Sequence, residues 1–507
     1  LSRIGQIAMV ALDISHERRR QRRADSAPAP VDPVPLRPPA KVGKAARRPE
    51  GPVVPQSVRG RFRRIKWIVL AVALAVYGLL PFLRWGRAPG EPGQAVLIDL
   101  ERGRLHLFAL EIWPQELYLL TGLLIVATLT LILMNAVAGR IWCGFMCPQT
   151  VWTDLFMAVE RLVEGDRRER LKKREAALSM RRCAELALKH AIWLAIAIWT
   201  GAGLTFYFDD APKLLLEILS GAASILVYSW IAIIAATTYA LAGFAREVVC
   251  TSMCPWPRLQ GAIWDPEALT VNYRDYRGEP RGSVKKNAEL RALGEPAGDC
   301  VDCLQCVVVC PIGIDIRQGP SFACINCGLC VDACDSVMEK LGRPRGLIDY
   351  ETWTNIERGR ISAPLAQVQP FRLKTFGLAA SIALLLAAMV ALMANRSSGQ
   401  LLAYHERSPI ATRLSDGRIR NAYTLIIVNK EAAAGSFVLS AEAVIGDVAL
   451  AVIGPHPVLV EGNATADVRV TLSAPVGFEG EVIFKAAKQG GPTHQPFMAK
   501  DRFVTLR

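Results

Sequence analysis

Histidine is scarce in this chain, six residues in 507. Only His190 lies beside an apolar run long enough to cross a membrane, so a haem held between helices by two histidines lacks its second ligand. No G-x-x-x-x-G-K-[ST] phosphate loop occurs, which argues against nucleotide-driven pumping. Cysteine is absent from both ends: all 13 fall between Cys143 and Cys334, so neither terminal segment carries a disulfide of its own. Acidic residues run short as well, 46 against 60 Lys and Arg, for a net charge of +14. That surplus suits a membrane with anionic lipid, and nucleic-acid binding is the weaker reading.

What the chain has in abundance is apolar sequence. Its hydrophobic content is 51% and its mean hydropathy +0.25, too high for an ordinary soluble protein. Five stretches are long enough to span a bilayer: Trp67 to Leu83, which contains Pro81, then Leu117 to Ala138, Ala191 to Phe208, Ile218 to Ala245, and Phe376 to Ala394. The segment before Trp67 is basic and too long to be a cleavable signal peptide. It carries Arg18, Arg19, Arg20, Arg22, Arg23, Arg59, Arg61, Arg63, Arg64 and Lys66, and loops rich in Lys and Arg stay in the cytoplasm. Counting crossings puts residues 84 to 116 outside, 139 to 189 inside, the segment after Ala245 inside, and everything after Ala394 outside. The inner loop agrees, with Arg167, Arg168, Arg170, Lys172, Lys173, Arg174, Arg181 and Arg182. Every cysteine falls on the inner, reducing side of this topology.

Eight of those cysteines form two quartets, Cys300, Cys303, Cys306, Cys310 followed by Pro311, and Cys324, Cys327, Cys330, Cys334 followed by Asp335. This is the spacing of a ferredoxin with two 4Fe-4S clusters, in which each quartet lends its last cysteine to the other cluster. The expected ligand sets are Cys300, Cys303, Cys306 and Cys334 for one cluster, and Cys310, Cys324, Cys327 and Cys330 for the other. Zinc ribbons show two pairs of cysteines instead of three at C-x2-C-x2-C.

Four further cysteines stand at equivalent ends of two spans, in Cys143-Gly144-Phe145-Met146-Cys147-Pro148 and Cys250-Thr251-Ser252-Met253-Cys254-Pro255. The shared Cys-x-x-Met-Cys-Pro suggests two hairpins that face each other and gather four thiols and two thioethers at the inner surface. If the backbone there is helical, the i and i+4 spacing puts both sulfurs of a motif on one face, and the proline marks a turn away from the axis. Thiolate and thioether select Cu(I), zinc or iron-sulfur clusters, and a Met beside each second Cys leans toward copper. The plainer reading is that Cys and Met fill buried helix ends. Cys183, alone near the third span, reads as packing or a spare thiol.

The ends differ in kind. Residues 24 to 56 mix Ala, Pro and basic residues without periodicity and read as a disordered arm, with Met9 near the true start. From Arg418 onward β-rich runs recur, at Tyr423 to Val428, Ser436 to Ala441, Val448 to Val452, Val468 to Leu472, Glu481 to Lys485 and Phe503 to Leu506. Turn residues such as Asp416-Gly417 and Gly490-Gly491-Pro492 separate them, and the pattern reads as an immunoglobulin-type β-sandwich that docks a partner. Its His405, His456 and His494 show no ligand spacing and are best read as scattered surface residues.

Trp142 to Thr150, Cys250 to Pro255, the two quartets and Gly342-Arg343-Pro344-Arg345-Gly346-Leu347-Ile348, in this span order, resemble the CcoG family, also called FixG or RdxA. These are accessory proteins for assembly of the bacterial cbb(3)-type cytochrome c oxidase. The resemblance implies a multi-domain protein of the inner membrane: a basic cytoplasmic arm (1–66), a helical bundle of about five spans (67–246 and 373–396), a cytoplasmic α+β two-cluster ferredoxin-type domain (247–372) and a periplasmic immunoglobulin-like β-sandwich (397–507). It implies a cupric reductase that makes Cu(I) for the oxidase, with copper as substrate or transient ligand at Cys143, Cys147, Cys250 and Cys254 and with Met146 and Met253 as weaker transfer ligands. The partners it implies are membrane lipid, a cytosolic electron donor, a copper exporter or chaperone, the oxidase's assembly factors and a possible second copy. Two other functions remain open on the sequence: a quinol-linked electron-transfer subunit, and a copper-holding scaffold without catalysis.

Overall fold

The computed structural model describes residues 53–87, 91–177, 179–431, 433–444, 450–455, 457–489 and 496–505. The arm before Val53, His456, His494, Val448 and the turn Gly490-Gly491-Pro492 lie outside the described residues. The chain forms two compact units: one of residues up to Leu74, Met134–Gly201 and Ile231–Pro370, the other of Ala75–Leu133, Ala202–Trp230 and Phe371–Arg507.

Five helices are long and apolar enough to span a membrane: Arg61–Phe82, Leu117–Ala138, Met180–Thr205, Ile225–Ala262 and Leu373–Ala394. Three of these depart from the sequence reading. The first begins at Arg61, ahead of Trp67, because its cations find partners: Lys66 Nζ lies 2.7 Å and Arg63 3.6 Å from the Asp154 carboxylate. Asp332 caps its start, accepting from the backbone N–H of Phe62 and Arg63 at 3.1 and 2.8 Å, an anion placed where the helix dipole is positive. Pro81 sits in the 3-10 turn that ends it. The third starts at Met180 instead of Ala191, its charged turns held by Lys189–Glu164 at 2.7 Å and Lys173–Glu185 at 2.6 Å. The run expected from Ile218 to Ala245 is broken, since Ala211–Ser220 is a separate helix that stops at Gly221, whose φ of +78° a Cβ would oppose. The spanning helix restarts at Ile225 and passes into π-helical turns at Leu241–Ala245 and Val249–Met253.

The cysteine-rich segment lies within the first unit. The two-stranded sheet Thr270–Tyr273 with Ile348–Glu351, the short helix Gln305–Val308 and the helix Leu329–Lys340 pack together with the helix ends near Cys143 and Cys250. Beside them a buried ion network locks the helix Pro148–Glu164. Glu160 takes Arg170 at 2.8 Å and Arg246 at 3.0 Å, and all three side chains are below one-tenth exposed.

In the second unit, Gly399–His405, Ile419–Asn429, Ala464–Ala474 and Ala451–Ile453 form one antiparallel sheet, with Thr412–Arg413 on the edge of Ile419–Asn429. Val458–Val460, Gly435–Ala443, Gly480–Lys488 and Phe497–Phe503 form the facing sheet. Alternate residues of Ile419–Asn429 point inward, and Tyr423, Leu425, Ile427, Val470, Phe437 and Phe484 fill the core between the sheets. The last strand ends at Phe503, where the sequence reading starts one, because the apolar core residues Ala499 and Phe503 close it. A three-stranded meander, Val96–Asp99, Arg104–Leu107 and Leu110–Ile112, occupies the segment read as a plain loop.

Replacing Glu160 with Ala would strand the buried Arg170 and Arg246 charges. We expect a loss of about 3–5 kcal/mol, read as a lower unfolding midpoint in detergent, with Glu160→Gln recovering part of it. An unchanged midpoint in Glu160→Ala would mean the network holds nothing.

Candidate iron-sulfur and thiol site

Burial and turn geometry bring the eight ferredoxin cysteines into two cages. Cys300, Cys303, Cys306 and Cys334 line one cavity, together with Tyr273, Arg317 and Ile348. Cys310, Cys324, Cys327 and Cys330 line a second, walled by Ile312, Ile325 and Leu329, with Cys306 also on its wall. The loops reach these positions through residues at positive φ, namely Asp302, Leu304, Asn326 and Gly328. Among the described residues no three cysteine sulfurs lie within 4.8 Å of one another. Three cysteines of one C-x2-C-x2-C loop joined by a fourth from the other quartet suit a multi-iron cluster. Burial pushes Cys310 up to about 11 and both Cys324 and Cys334 up to about 12. These thiols are protonated at neutral pH, and iron must expel the protons to bind. Asp335, where the first quartet has Pro311, accepts from Gly346 N–H at 2.9 Å and ties the Gly342–Ile348 strip to the second cage helix.

The other four cysteines are half-buried. Cys143 lies within Coulombic reach of Cys147 and Cys254, and Cys250 of all three. The expected helical i, i+4 face is not what joins each pair. Cys143 belongs to the short helix Ile141–Phe145, whereas Cys147 is extended at φ −59°, ψ 129°. Cys250 belongs to a π-helical turn and Cys254 is extended at φ −76°, ψ 126°. The cause is Pro148 and Pro255, which bar the preceding residue from the helical region and start new helices. The two second cysteines share nearly one conformation, so the motifs are conformational as well as sequence repeats. Met146 and Met253 are 47% and 59% exposed, set apart from the half-buried thiols.

The thiol tetrad touches the second cage. A Cβ on Gly144 would stand 2.5 Å from Ile325 O and 3.1 Å from the Cys327 backbone, so the glycine lets the Cys143–Cys147 turn lie directly on the cage loop. Asn326 Nδ2 donates to Ala138 O at 3.3 Å across the same seam. Arg140, buried beside Cys143, donates to Phe322 O and acts against the rise that burial imposes on the Cys143 thiol. Cys143 Sγ donates to Gln260 Oε1 at 3.9 Å. Arg140 and Gln260, with Asn135, Trp264, Asp265 and Cys324, line a cavity of about 330 Å³. The sequence reading missed Gly144, Arg140 and Gln260; an Arg just before the first motif and a Gln just after the second were the available signs. Cys183 is exposed and outside these groups. His190 bonds Tyr239 at 2.8 Å, and His405 stacks on Tyr423 at 4.8 Å and bonds Ile410 O.

Residues 245–353 match the model of a 4Fe-4S dicluster domain, residues 120–164 that of a 4Fe-4S binding domain, and residues 389–504 that of an IG-like fold at the C-terminal of FixG. Protein RdxA of Cereibacter sphaeroides is 42% identical over 89% of this chain and 96% of its own length. Protein RdxB of the same organism is 45% identical over 84% and 89%, respectively. The nitrogen fixation protein FixG of Rhizobium meliloti is 43% identical over 74% and 76%. The matched domains and the five apolar helices make this chain an iron-sulfur protein of redox type with the spans of a membrane protein.

Gly144→Ala is expected to disturb the cage of Cys310, Cys324, Cys327 and Cys330 while sparing the other. Of the two reduced-cluster signals in electron paramagnetic resonance, one should shift or shrink. Two unaltered signals would place the turn away from the cage. Because the cage thiols are protonated at neutral pH, reconstitution of the apoprotein with iron and sulfide should improve as pH rises from about 7 to about 9. A yield flat or falling over that range would contradict the burial of these thiols.

Proposed function

The chain belongs to the family of FixG, RdxA and RdxB, and from that premise we propose that it is a membrane cupric reductase. It converts Cu(II) to Cu(I) at Cys143, Cys147, Cys250 and Cys254, and the product supplies a cbb(3)-type oxidase during its assembly. The observation that carries this reading is the contact between the tetrad turn and the second cage at Gly144. When bound, 4Fe-4S clusters supply single electrons, which is the stoichiometry that Cu(II) to Cu(I) requires.

The chain's own residues do the rest. Cys303 is the exposed member of the first cage, which supports entry of electrons from a cytosolic donor at that side. Thiolates favour Cu(I) over Cu(II), so the tetrad pulls the reaction toward product. Cys143 gives up its proton as copper binds, with Arg140 beside it supporting the thiolate. The exposed Met146 and Met253 are suited to pass Cu(I) outward to an exporter or chaperone. In this reading the arm, the cages and the tetrad face the cytoplasm of a bacterial inner membrane and the β-sandwich faces the periplasm, toward the oxidase's assembly factors.

The cavity of about 330 Å³ beside Cys324 favours a second reading, a quinol-linked electron-transfer subunit, because Arg140, Gln260 and Trp264 offer a ring-sized headgroup polar contacts and a stacking face. Steady-state reduction of Cu(II), read with a Cu(I)-specific chelator, separates the two. Cys143→Ser and Cys250→Ser, each with full iron content, should lose at least about tenfold in rate, the cost of a removed transition-state contact of about 1.4 kcal/mol or more. Full activity in both variants would move the function to the cavity.

A further inference from the structure

We propose that Glu91, His106 and Glu111 form a binding site for a divalent transition ion of borderline hardness, of the zinc(II) or copper(II) kind. The site lies wholly in the second unit and does not depend on the reading of the thiol tetrad. In the meander, Arg104–Leu107 pairs antiparallel with Leu110–Ile112 so that His106 stands directly opposite Glu111, which puts both side chains on one face. Glu91 comes from the segment ahead of the first strand. One ligand atom from each of the three lies within 4.8 Å of the others, the sole such trio among the described residues.

His106 carries the argument. It is 0% exposed, and both ring nitrogens are buried without a hydrogen-bond partner. A neutral imidazole has one donor and one acceptor to satisfy, and a fold does not ordinarily bury both unpaired. Glu91 and Glu111 bring two carboxylates close together beside that imidazole, and a shared cation relieves their repulsion.

The rival occupant is Arg104. Its guanidinium donates to Glu111 at 2.9 Å and stands 3.8 Å from Glu91. That pairing accounts for the carboxylates and leaves the imidazole unexplained. Arg104 also donates to Asn463 O and lies 3.8 Å over the Trp113 ring, so it keeps partners when a metal takes the carboxylates. The other nearby cations are committed: Arg87 donates to the carbonyls of Pro92, Gln94, Ala95 and Phe108, and Arg396 to that of Glu111. Asn463 Nδ2 holds Glu91 Oε1 at 2.9 Å and so orients that carboxylate. One imidazole and two carboxylates suit zinc(II) or copper(II) and not Cu(I), and three protein ligands leave a position for water.

The test is zinc counting by equilibrium dialysis on the full-length protein in detergent, with clusters intact and magnesium in excess. Beyond any zinc held by thiols, the wild type should retain one zinc per chain that His106→Gln and Glu91→Gln each lose, with affinity lowered at least tenfold, and that Cys143→Ser and His405→Gln keep. Glu91 is only half-buried, so Glu91→Gln decides the matter if His106→Gln does not fold, with iron content and unfolding midpoint as the check. Zinc should also raise the unfolding midpoint of the wild type and not that of Glu91→Gln. No zinc held in the wild type beyond what the thiols account for, or equal retention in Glu91→Gln, overturns the proposal.

Discussion

Residue 144 has no side chain, and the rest of the first unit is arranged around the contact this permits. The Cys143–Cys147 turn lies against the carbonyl of Ile325 and the backbone of Cys327, so a thiol site formed by two helix ends and a cage formed by ferredoxin loops share a wall. Such a wall lasts only if the parts on either side are held rigidly. Pro148 and Pro255 hold the preceding Cys147 and Cys254 in matching extended conformations. Asp332 pins the start of the first helix to the cage helix, and Glu160 with its two arginines locks the helix that Pro148 begins.

Much of this was legible in the residues. Three cysteines at a spacing of three report a loop that needs a distant fourth ligand, and Cys334 lines the cavity of the first quartet while Cys310 lines that of the second. The paired Cys-x-x-Met-Cys-Pro motifs announced a convergence of thiols, although a helical face was the wrong mechanism for it. The reading failed where long-range partners override local signals. Cations at Arg63 and Lys66 look like the end of a span, and only Asp154, distant in sequence, makes them part of one. The meander at Val96–Ile112 was hidden because its strands are short and its polar residues, Arg104, His106 and Glu111, face one another instead of solvent.

The molecule separates two kinds of donor. Sulfur is gathered in the first unit, at the two cages and the tetrad; among the described residues a close trio of nitrogen and oxygen donors stands in the second, around a buried imidazole. The division follows ligand softness: thiolates hold a reduced, soft ion, whereas imidazole and carboxylate hold an oxidised or borderline one.

The most direct measurement is a single turnover. The protein is reduced with dithionite, freed of excess reductant under argon, and mixed rapidly with Cu(II) or with a short-chain quinone while the cluster absorption is followed. Cluster reoxidation by Cu(II) that yields stoichiometric Cu(I), and that slows sharply when Cys143, Cys147, Cys250 and Cys254 are all serine, is the predicted result. Reoxidation by quinone alone, at the same rate in both proteins, would contradict the account and assign the electron path to the cavity beside Cys324.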